Sequence, residues 1–217
     1  MRFGQGLLEL LFPSKCPFCS VLLGRGVELC GDCQKKLSWL EGAAAETKVE
    51  FVSRCVSPLA YDNLTRQAMH RYKFEGVHQH KKTLGKFMAQ CVQDQFPEGF
   101  DFITWVPLHK ERLAERGYDQ TKLLAVEVGV QRGISTVAAL EKLRRTAAQS
   151  GIEKDEERRA NVLDSYRLKD DVAVADKRIL LVDDVVTTGA TMAEAARVLR
   201  MAGAAEVCAV TLAKARK

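Results

Sequence analysis

The sequence predicts an α/β protein in which a mostly parallel sheet is flanked by helices, preceded by a small cysteine-containing module. Strand-like and helix-like segments alternate along most of the chain. The apolar run Ile179–Val182 has the pattern of a strand that is buried on both faces. Four of the seven cysteines fall within the first 33 residues. These observations separate a short N-terminal module from a larger α/β domain.

The length and composition fit one hydrophobic core with a small appendage. The chain has 217 residues, of which 47% are hydrophobic and 28% are charged. No apolar run approaches the ~18 residues of a membrane span. The first 12 residues have an amphipathic pattern that Glu9 interrupts, and no cleavage site of small residues follows, which disfavours a signal peptide. We therefore expect a cytoplasmic protein without a membrane span.

The basic residues form three groups in a chain of formal net charge +5. Solvated helix faces would account for any one group. Three groups in one domain also suit an anionic ligand, and both interpretations stay open. The groups are Arg71, Lys73, Lys81, Lys82 and Lys86, then Lys110, Arg112, Arg116 and Lys122, then Lys142, Arg144 and Arg145.

Two Cys-x-x-Cys pairs predict a structural zinc site. Cys16 and Cys19 form one pair, and Cys30 and Cys33 form the other after a spacer of ten residues. Four thiolates complete a tetrahedral Zn²⁺ site and leave no open position for catalysis. The metal would supply much of the folding free energy, because ~30 residues cannot build an apolar core. Disulfides and iron are the alternatives, and the absence of a signal peptide disfavours disulfides.

The other cysteines and the composition after Trp39 define the rest of the layout. Cys55, Cys91 and Cys208 lie in apolar strings and are expected in the core. Residues 41–50 are small and polar, which is typical of a linker. We therefore predict a cysteine module at residues 1–45 and an α/β domain at residues 46–217.

The α/β domain is predicted to alternate strands and helices, and several residues mark where these elements begin and end. Asp62 or Asn63 would cap the first helix, Gly76 would end it, Pro107 would halt a strand, and Gly203 would end the last helix. The strands are predicted at 51–61, 100–108, 178–184 and 206–215, the helices at 62–76, 80–96, 121–133, 153–161 and 191–203, and a charged connector at 108–120.

Two adjacent acids end the buried strand at Asp183 and Asp184. In a parallel sheet, ligands bind beyond the carboxyl ends of the strands. Neighbouring residues on a strand point in opposite directions, so the two carboxylates can reach different groups of one ligand. Carboxylates accept hydrogen bonds from vicinal hydroxyls and bind Mg²⁺ directly or through water.

The turn after these acids predicts a phosphate site. Thr187, Thr188 and Thr191 offer hydroxyls, and Gly189 allows close approach of the backbone. The following helix begins here, and the N–H groups of a helix N-terminus bind anions. Hydroxyl-binding acids followed by a phosphate cradle fit a ribose 5-phosphate.

Three other interpretations compete for this stretch. A nucleotide hydrolase would need a loop of the form G-x-x-x-x-G-K-[ST], which the chain lacks. A receiver-like domain would need a phosphoacceptor aspartate downstream, and no aspartate follows Asp184. The acids can also simply end a strand while Thr188 caps a helix, and this third interpretation stays open.

The stretch Ile179–Thr191 resembles the phosphoribosyl pyrophosphate (PRPP) loop of type I phosphoribosyltransferases. Nearly the whole chain resembles the ComF family of competence-associated phosphoribosyltransferase-like proteins. The motifs that carry this resemblance, in chain order, are the cysteine ribbon, "HRYKFEG", "VPLHKERLAERGYDQ", "LRRTAAQSGIEKDEERRANV" and the C-terminal loop. The resemblance implies a type I phosphoribosyltransferase fold with an N-terminal zinc ribbon.

The resemblance also implies roles for individual residues. Asp183 and Asp184 would bind the ribose hydroxyls of PRPP, and Lys73 would approach the same region. The segment His109–Gln120 would be a mobile catalytic loop, and a solvated helix with i,i+4 ion pairs is the alternative for Lys110–Arg116. The 5-phosphate would be surrounded by Val185, Val186, Thr187, Thr188, Gly189, Ala190 and Thr191, the pyrophosphate would lie near Val106, Pro107 and Leu108, and the loop cations would be Lys110, Arg112 and Arg116.

Two functions follow from this resemblance. The first is an enzyme that transfers phosphoribose from PRPP, with Mg²⁺, to an unidentified acceptor. Purine-type members carry an aspartate where this chain has Thr187, which argues against a purine acceptor. Asp119, Asp164 and Asp176 remain as candidate bases by default and are expected to be solvated.

The second function is a non-catalytic protein that handles single-stranded DNA in transformation, with competence proteins as partners and PRPP as ligand or regulator. Residues 143–162 alternate basic and acidic side chains and contain no aromatic residue. This composition gives no platform for base stacking, but a basic groove along a DNA backbone stays open.

Overall fold

The computed structural model describes residues 14–75, 78–144 and 162–215. The amphipathic helix predicted at the N-terminus and the helix predicted at 153–161 lie outside these residues. No helix in the described ranges is long and apolar enough to cross a membrane.

Eight strands and six helices alternate in the described residues. The strands are β1 (Glu46–Thr47), β2 (Cys55–Val56), β3 (Leu59–Ala60), β4 (Phe102–Trp105), β5 (Leu140–Lys142), β6 (Tyr166–Leu168), β7 (Arg178–Val186) and β8 (Glu206–Lys214). The helices are α1 (Gly31–Lys36), α2 (Asn63–Phe74), α3 (Lys81–Gln95), α4 (Lys110–Arg116), α5 (Gln120–Arg132) and α6 (Ala190–Met201). Short 3₁₀ turns occur at Gly42–Ala45 and His78–His80.

The main sheet is mostly parallel, as the sequence predicts. Its strands follow the order β1-β2-β8-β7-β4, and β3 also pairs with β8. Only the β1–β2 pair is antiparallel in this sheet. Strands β5 and β6 form a separate two-stranded antiparallel sheet. The long strand β7 lies between β4 and β8, which explains its continuous apolar run.

The core has one cluster on each face of the sheet. Leu180 and Val182 belong to the cluster that includes α2, α3 and α5. Ile179 and Leu181 alternate with them and belong to the cluster that includes α6. Cys91 and Cys208 are buried in the first cluster and Cys55 in the second, so the predicted core positions of these cysteines are confirmed.

The helix boundaries follow local capping chemistry. Asp62 caps α2, because its Oδ1 accepts a hydrogen bond from the Thr65 N–H at 2.9 Å. The connector predicted at 108–120 contains α4, which agrees with the alternative of a solvated helix for this stretch. His109 caps this helix and Gly117, at φ +80°, ends it. None of its seven residues is buried, so packing against the core contributes little to this helix.

The cysteine module packs on the first core cluster. Cys16 and Phe18 are fully buried there, together with residues of α2 and α3. The Arg71 guanidinium in α2 donates hydrogen bonds to the carbonyls of Pro17, at 3.0 Å, and Phe18. The module therefore shares a core with the α/β domain, and the boundary at residues 45 and 46 stays a prediction.

Candidate functional site

The two aspartates lie near the carboxyl end of β7. Asp183 aligns with Thr211 of β8, and its Oδ1 accepts a hydrogen bond from the Asp184 N–H at 2.8 Å. Asp184 is buried, whereas Asp183 is half-buried. The strand pleat thus gives the two carboxylates different surroundings.

Asp184 is held by side chains from two other elements. Its Oδ2 lies 2.9 Å from Lys73 Nζ, at the end of α2. The same oxygen accepts a hydrogen bond from Gln120 Nε2, at the start of α5, also at 2.9 Å. Burial lowers the pKa of Lys73, but the Asp184 carboxylate outweighs burial and the pKa is raised. Gln120 was missed as a positioning residue from sequence, because a glutamine at a helix start carries no distinctive spacing.

The surroundings of Asp183 offset the negative charge of its carboxylate less well than those of Asp184 do. Burial, followed by the charge of Asp184, raises the pKa of Asp183 to about 8. Lys73 and Lys142 oppose this shift. The pleat therefore separates the side chains without removing their repulsion, and a bound cation would lower the pKa of Asp183. A bound cation would thus favour the doubly ionised pair, which fits a hydrated Mg²⁺ ion with a phosphorylated ligand.

Lys142 of β5 and Tyr166 of β6 contribute to the environment of Asp183. Burial, and then the charge of Arg112, lower the pKa of Lys142 to about 8, while Asp183 opposes this. Lys142 Nζ lies 5.1 Å from the ring centroid of Tyr166. The Tyr166 hydroxyl is buried without a hydrogen-bond partner. Tyr166 was not predicted as a site residue, since only the pairing of β5 with β6 brings it here.

The turn between β7 and α6 forms an open recess. Its volume is about 270 Å³ when the open solvent at its mouth is included. Gly189 caps α6 at φ +81° without a side-chain cap, which leaves the helix N-terminus available to an anion. A Cβ at this glycine would lie 3.1 Å from Val49 Cγ2. The recess is lined by Asp183, Val185, Val186, Thr187, Thr188, Gly189, Ala190, Thr191 and Met192.

The turn Val106-Pro107-Leu108 follows β4 at the same edge of the sheet. Trp105 aligns with Val182 of β7, and the Val106 N–H donates to the Val182 carbonyl at 2.9 Å. The turn therefore begins beside Asp183. This position agrees with the predicted role near a pyrophosphate, which stays a prediction.

The Asp119 carboxylate accepts hydrogen bonds at both ends of the predicted catalytic loop. Its Oδ1 caps α5 by accepting the Thr121 and Lys122 N–H groups, each at 3.0 Å. Its Oδ2 accepts the Leu108 N–H at 3.3 Å and Trp105 Nε1 at 3.2 Å. Burial outweighs these hydrogen bonds and raises the pKa of Asp119. The expectation that Asp119 is solvated is therefore wrong.

The three predicted loop cations have different surroundings. Arg116 donates a hydrogen bond to Gln120 Oε1, and its guanidinium lies 4.9 Å from the Phe74 ring centroid. Arg112 acts electrostatically on Lys142 and Tyr166. Lys110 is exposed at the first position of α4. Arg112 therefore belongs to the Asp183 side of the site, and Arg116 supports the residue that holds Asp184.

The four cysteines of the module form one cluster. Their Sγ atoms all lie within 4.8 Å of one another, and Cys19 Sγ lies 3.6 Å from Cys30 Sγ. Tetrahedral Zn²⁺ with bonds of ~2.3 Å holds its sulfurs ~3.8 Å apart, so the cluster fits this ion. Cys16 and Cys33 are buried and Cys19 is exposed, which encloses one side of the site. All four thiolates would be used, so the site fits a structural zinc.

The comparisons with known proteins agree with this architecture. The family described as phosphoribosyl transferase domain matches residues 115–217, and the family described as double zinc ribbon domain matches residues 7–47. The chain contains a single four-cysteine set within that second match. The α/β domain therefore has the type I phosphoribosyltransferase fold, and the module is a zinc ribbon.

Relatives match over most of the chain. Competence protein F of Haemophilus influenzae is 28% identical, covering 92% of this chain and 84% of that protein. DNA utilization protein YhgH of Salmonella typhi is 30% identical, covering 89% and 81% respectively. The glutamine PRPP amidotransferase structure from B. subtilis is 25% identical, covers 65% of this chain and 30% of that chain, and has a TM-score of 0.45. The chain belongs to the ComF family of competence-associated, phosphoribosyltransferase-like proteins.

Proposed function

We propose that the chain binds PRPP with Mg²⁺ at the edge formed by the ends of β4 and β7, and transfers its phosphoribose to an acceptor. The observation that carries this proposal is the recess whose lining joins Asp183 to the threonine turn. Sugar hydroxyls and a phosphate need acceptors and donors side by side, which this recess offers.

The residues of the site divide the work of binding. Asp183 and Asp184 accept hydrogen bonds from the ribose hydroxyls, and Lys73 and Gln120 fix the carboxylate of Asp184. The turn at Thr187–Thr191 donates hydroxyl and N–H groups to the 5-phosphate. Bound Mg²⁺ supplies charge stabilisation for the departing pyrophosphate.

Transfer requires cations near the leaving group and protection from water. Arg112 and Lys142 lie on the Asp183 side, where they stabilise negative charge as the bond to pyrophosphate breaks. Helix α4 has no buried residue, so it can move over the site at a small cost in packing. With Thr187 in place of an acid, the base that activates the acceptor comes from elsewhere, and the acceptor stays open.

Isothermal titration with PRPP and Mg²⁺ tests the proposal. Wild-type protein binds PRPP, and the combined Asp183→Ala and Asp184→Ala variant loses binding. The matched control is the combined Asp170→Ala and Asp171→Ala variant, because this second aspartate pair is exposed in a turn. Equal PRPP affinity in the Asp183/Asp184 variant and the wild type would falsify the site.

A second candidate function is handling of single-stranded DNA, with PRPP as ligand or regulator and competence proteins as partners. The names of the relatives, competence protein and DNA utilization protein, favour it. Part of the basic surface serves other contacts, since Lys73 pairs with Asp184 and Arg71 binds the ribbon. A basic groove predicts DNA affinity that falls steeply with salt. Affinity that is constant between low and high salt contradicts this function.

The proposal also includes a structural zinc ion in the ribbon and a location in the cytoplasm. A reducing cytoplasm, as the sequence predicts, keeps four thiols available for Zn²⁺. Chelation of zinc then weakens the ribbon without removing a catalytic metal. Zinc content measured beside PRPP binding separates these two roles.

A further inference from the structure

Gln120 is a buried residue whose side-chain amide lies between an acid and a base. Its exposed fraction is 3%, and it is the first residue of α5. Its Nε2 donates a hydrogen bond to Asp184 Oδ2 at 2.9 Å, and its Oε1 accepts one from the Arg116 guanidinium. Both ends of the amide are therefore used, one by a candidate ligand-binding acid and the other by the last residue of α4.

The orientation of this amide depends on the charge at each end. A guanidinium only donates hydrogen bonds, and an ionised carboxylate only accepts them. The Oε1 atom must therefore face Arg116 when Nε2 faces Asp184. In the opposite orientation, the amide NH₂ group would meet the guanidinium and the amide oxygen would meet the carboxylate, so both contacts would be repulsive. Arg116 thus stabilises the orientation in which Gln120 holds Asp184.

The backbone of Gln120 is held by contacts that do not involve Arg116. The Tyr72 hydroxyl donates a hydrogen bond to the Gln120 carbonyl at 3.1 Å, and the Tyr118 hydroxyl donates one to the Tyr72 carbonyl. Tyr72 is fully buried in α2. These two bonds join the start of α5 to the end of α2, whichever way the amide points. Removal of the Arg116 guanidinium should therefore affect the Gln120 amide and leave its backbone in place.

Arg116 connects this amide to the position of α4. Its guanidinium lies 4.9 Å from the ring centroid of Phe74, the last residue of α2. Gly117, at φ +80°, follows Arg116 and ends α4. No residue of α4 is buried, so a rotation of this helix about Gly117 would take Arg116 away from both of its partners. The position of α4 and the orientation of the Gln120 amide are therefore linked.

We propose that Arg116 is a positioning residue for PRPP binding, which acts through the Gln120 amide and connects α4 to Asp184. The inference rests on the proposed function, because Asp184 matters here as a residue that binds PRPP. It gives Arg116 a role other than the contact with pyrophosphate that the family resemblance implies. The guanidinium is engaged by Gln120 and Phe74, so it supports an acid that binds the sugar.

A double-mutant cycle on PRPP affinity, measured by isothermal titration with Mg²⁺, tests this route. The single variants are Arg116→Met and Gln120→Met, which keep unbranched side chains and remove the hydrogen bond between them. Arg116→Met weakens PRPP binding by roughly tenfold, as for the loss of one hydrogen bond to a charged group. In the Gln120→Met background the same change has an effect of about twofold or less, because the amide through which Arg116 acts is gone.

Two further variants are matched to Arg116→Met. Arg116→Lys keeps a donor for Gln120 Oε1 and binds PRPP more tightly than Arg116→Met does. Arg66→Met is the control, because Arg66 also donates to a side-chain amide, Asn63 Oδ1 at 3.2 Å, but does so at the start of α2. Its PRPP affinity stays within about twofold of the wild-type value.

Wild-type affinity in Arg116→Met overturns the inference. An equal loss of affinity in both backgrounds overturns it as well, because that result assigns Arg116 a direct contact with PRPP. The combined Asp183→Ala and Asp184→Ala variant, measured beside these, separates this inference from the proposed function. If that variant keeps PRPP binding, the proposed site is wrong. If it loses binding while Arg116→Met does not, only the role of Arg116 is wrong.

Discussion

The zinc ribbon and the sugar-phosphate site are two functional regions built in different ways. All four ligands of the ribbon lie within 18 residues, from Cys16 to Cys33, and their sulfurs form one cluster. The sugar-phosphate site draws Lys73, Gln120 and Asp184 from three distant elements. Both regions pack on the shared core, but only the first is built around a set of metal ligands. Variants in each region should therefore fail in different ways.

The largest effect is expected from Cys33→Ser. It removes one of four ligands from a site whose Zn²⁺ contributes about 10–16 kcal/mol in zinc-finger peptides. Zinc content, measured by atomic absorption, falls from about one ion per chain to near zero, and proteolysis cuts the ribbon first. Cys91→Ser is the control, because Cys91 is buried away from the cluster. Full zinc content in Cys33→Ser would contradict the ribbon assignment.

Lys73→Met tests the sugar-phosphate site, whose residues come from distant elements. It leaves Asp184 buried beside Gln120 without its cation, and a buried ion pair that loses one partner costs about 3 kcal/mol. Urea unfolding measures this loss in the free energy of unfolding. Lys177→Met is the control, because its pair with Asp101 is exposed and contributes little to stability. Equal losses in both variants would show that Asp184 does not depend on Lys73.

A smaller effect concerns the pH dependence of stability in the ligand-free protein. Asp183 has a folded pKa of about 8, so between pH 4 and pH 8 the folded state binds a proton that the unfolded state has lost. Its contribution to stability is complete below the unfolded pKa of about 4 and is lost as pH rises, by at most about 1.4 kcal/mol per pH unit. Urea unfolding at several pH values measures this slope.

Asp183→Asn is the matched variant for this slope. Other groups titrate in the same range, so the difference between wild type and variant isolates Asp183. We expect the variant to lose less stability than the wild type as pH rises. Parallel curves for the two proteins would rule out the raised pKa of Asp183.

The smallest effect separates backbone strain from crowding at the phosphate turn. Gly189 and Gly133 both have positive φ, +81° and +67°, and alanine at either costs about 1–2 kcal/mol. Only at Gly189 does the new Cβ meet a neighbour, Val49 Cγ2 at 3.1 Å. Gly189→Ala should therefore lose more stability than Gly133→Ala, and it alone should weaken PRPP binding. Thermal unfolding and titration check both points.

Local patterns in the sequence predicted most of the fold. Strand β7 and helix α6 follow from an apolar run and a regular helical spacing, and Asp62 was expected as a cap. Helix α4 was expected only as an alternative, because a charged segment without an apolar stripe has the composition of a connector as well as of a solvated helix. The cap role of Asp119 was missed, since its four donors become neighbours only when β4 ends beside α5.

The sequence by itself determined the chemistry of this protein: the cysteine spacing, the adjacent acids and the threonine turn are short-range features whose residue types fix what they can bind. Tertiary structure decided how those acids are charged. Lys73 and Gln120 lie 111 and 64 residues from Asp184 along the chain, and only the packing of α2 and α5 on the sheet brings them to its carboxylate. The same packing raised the pKa of Asp183. Burial and the nearby charge of Asp184 cause this shift, and burial depends on three-dimensional contacts and not on spacing along the chain.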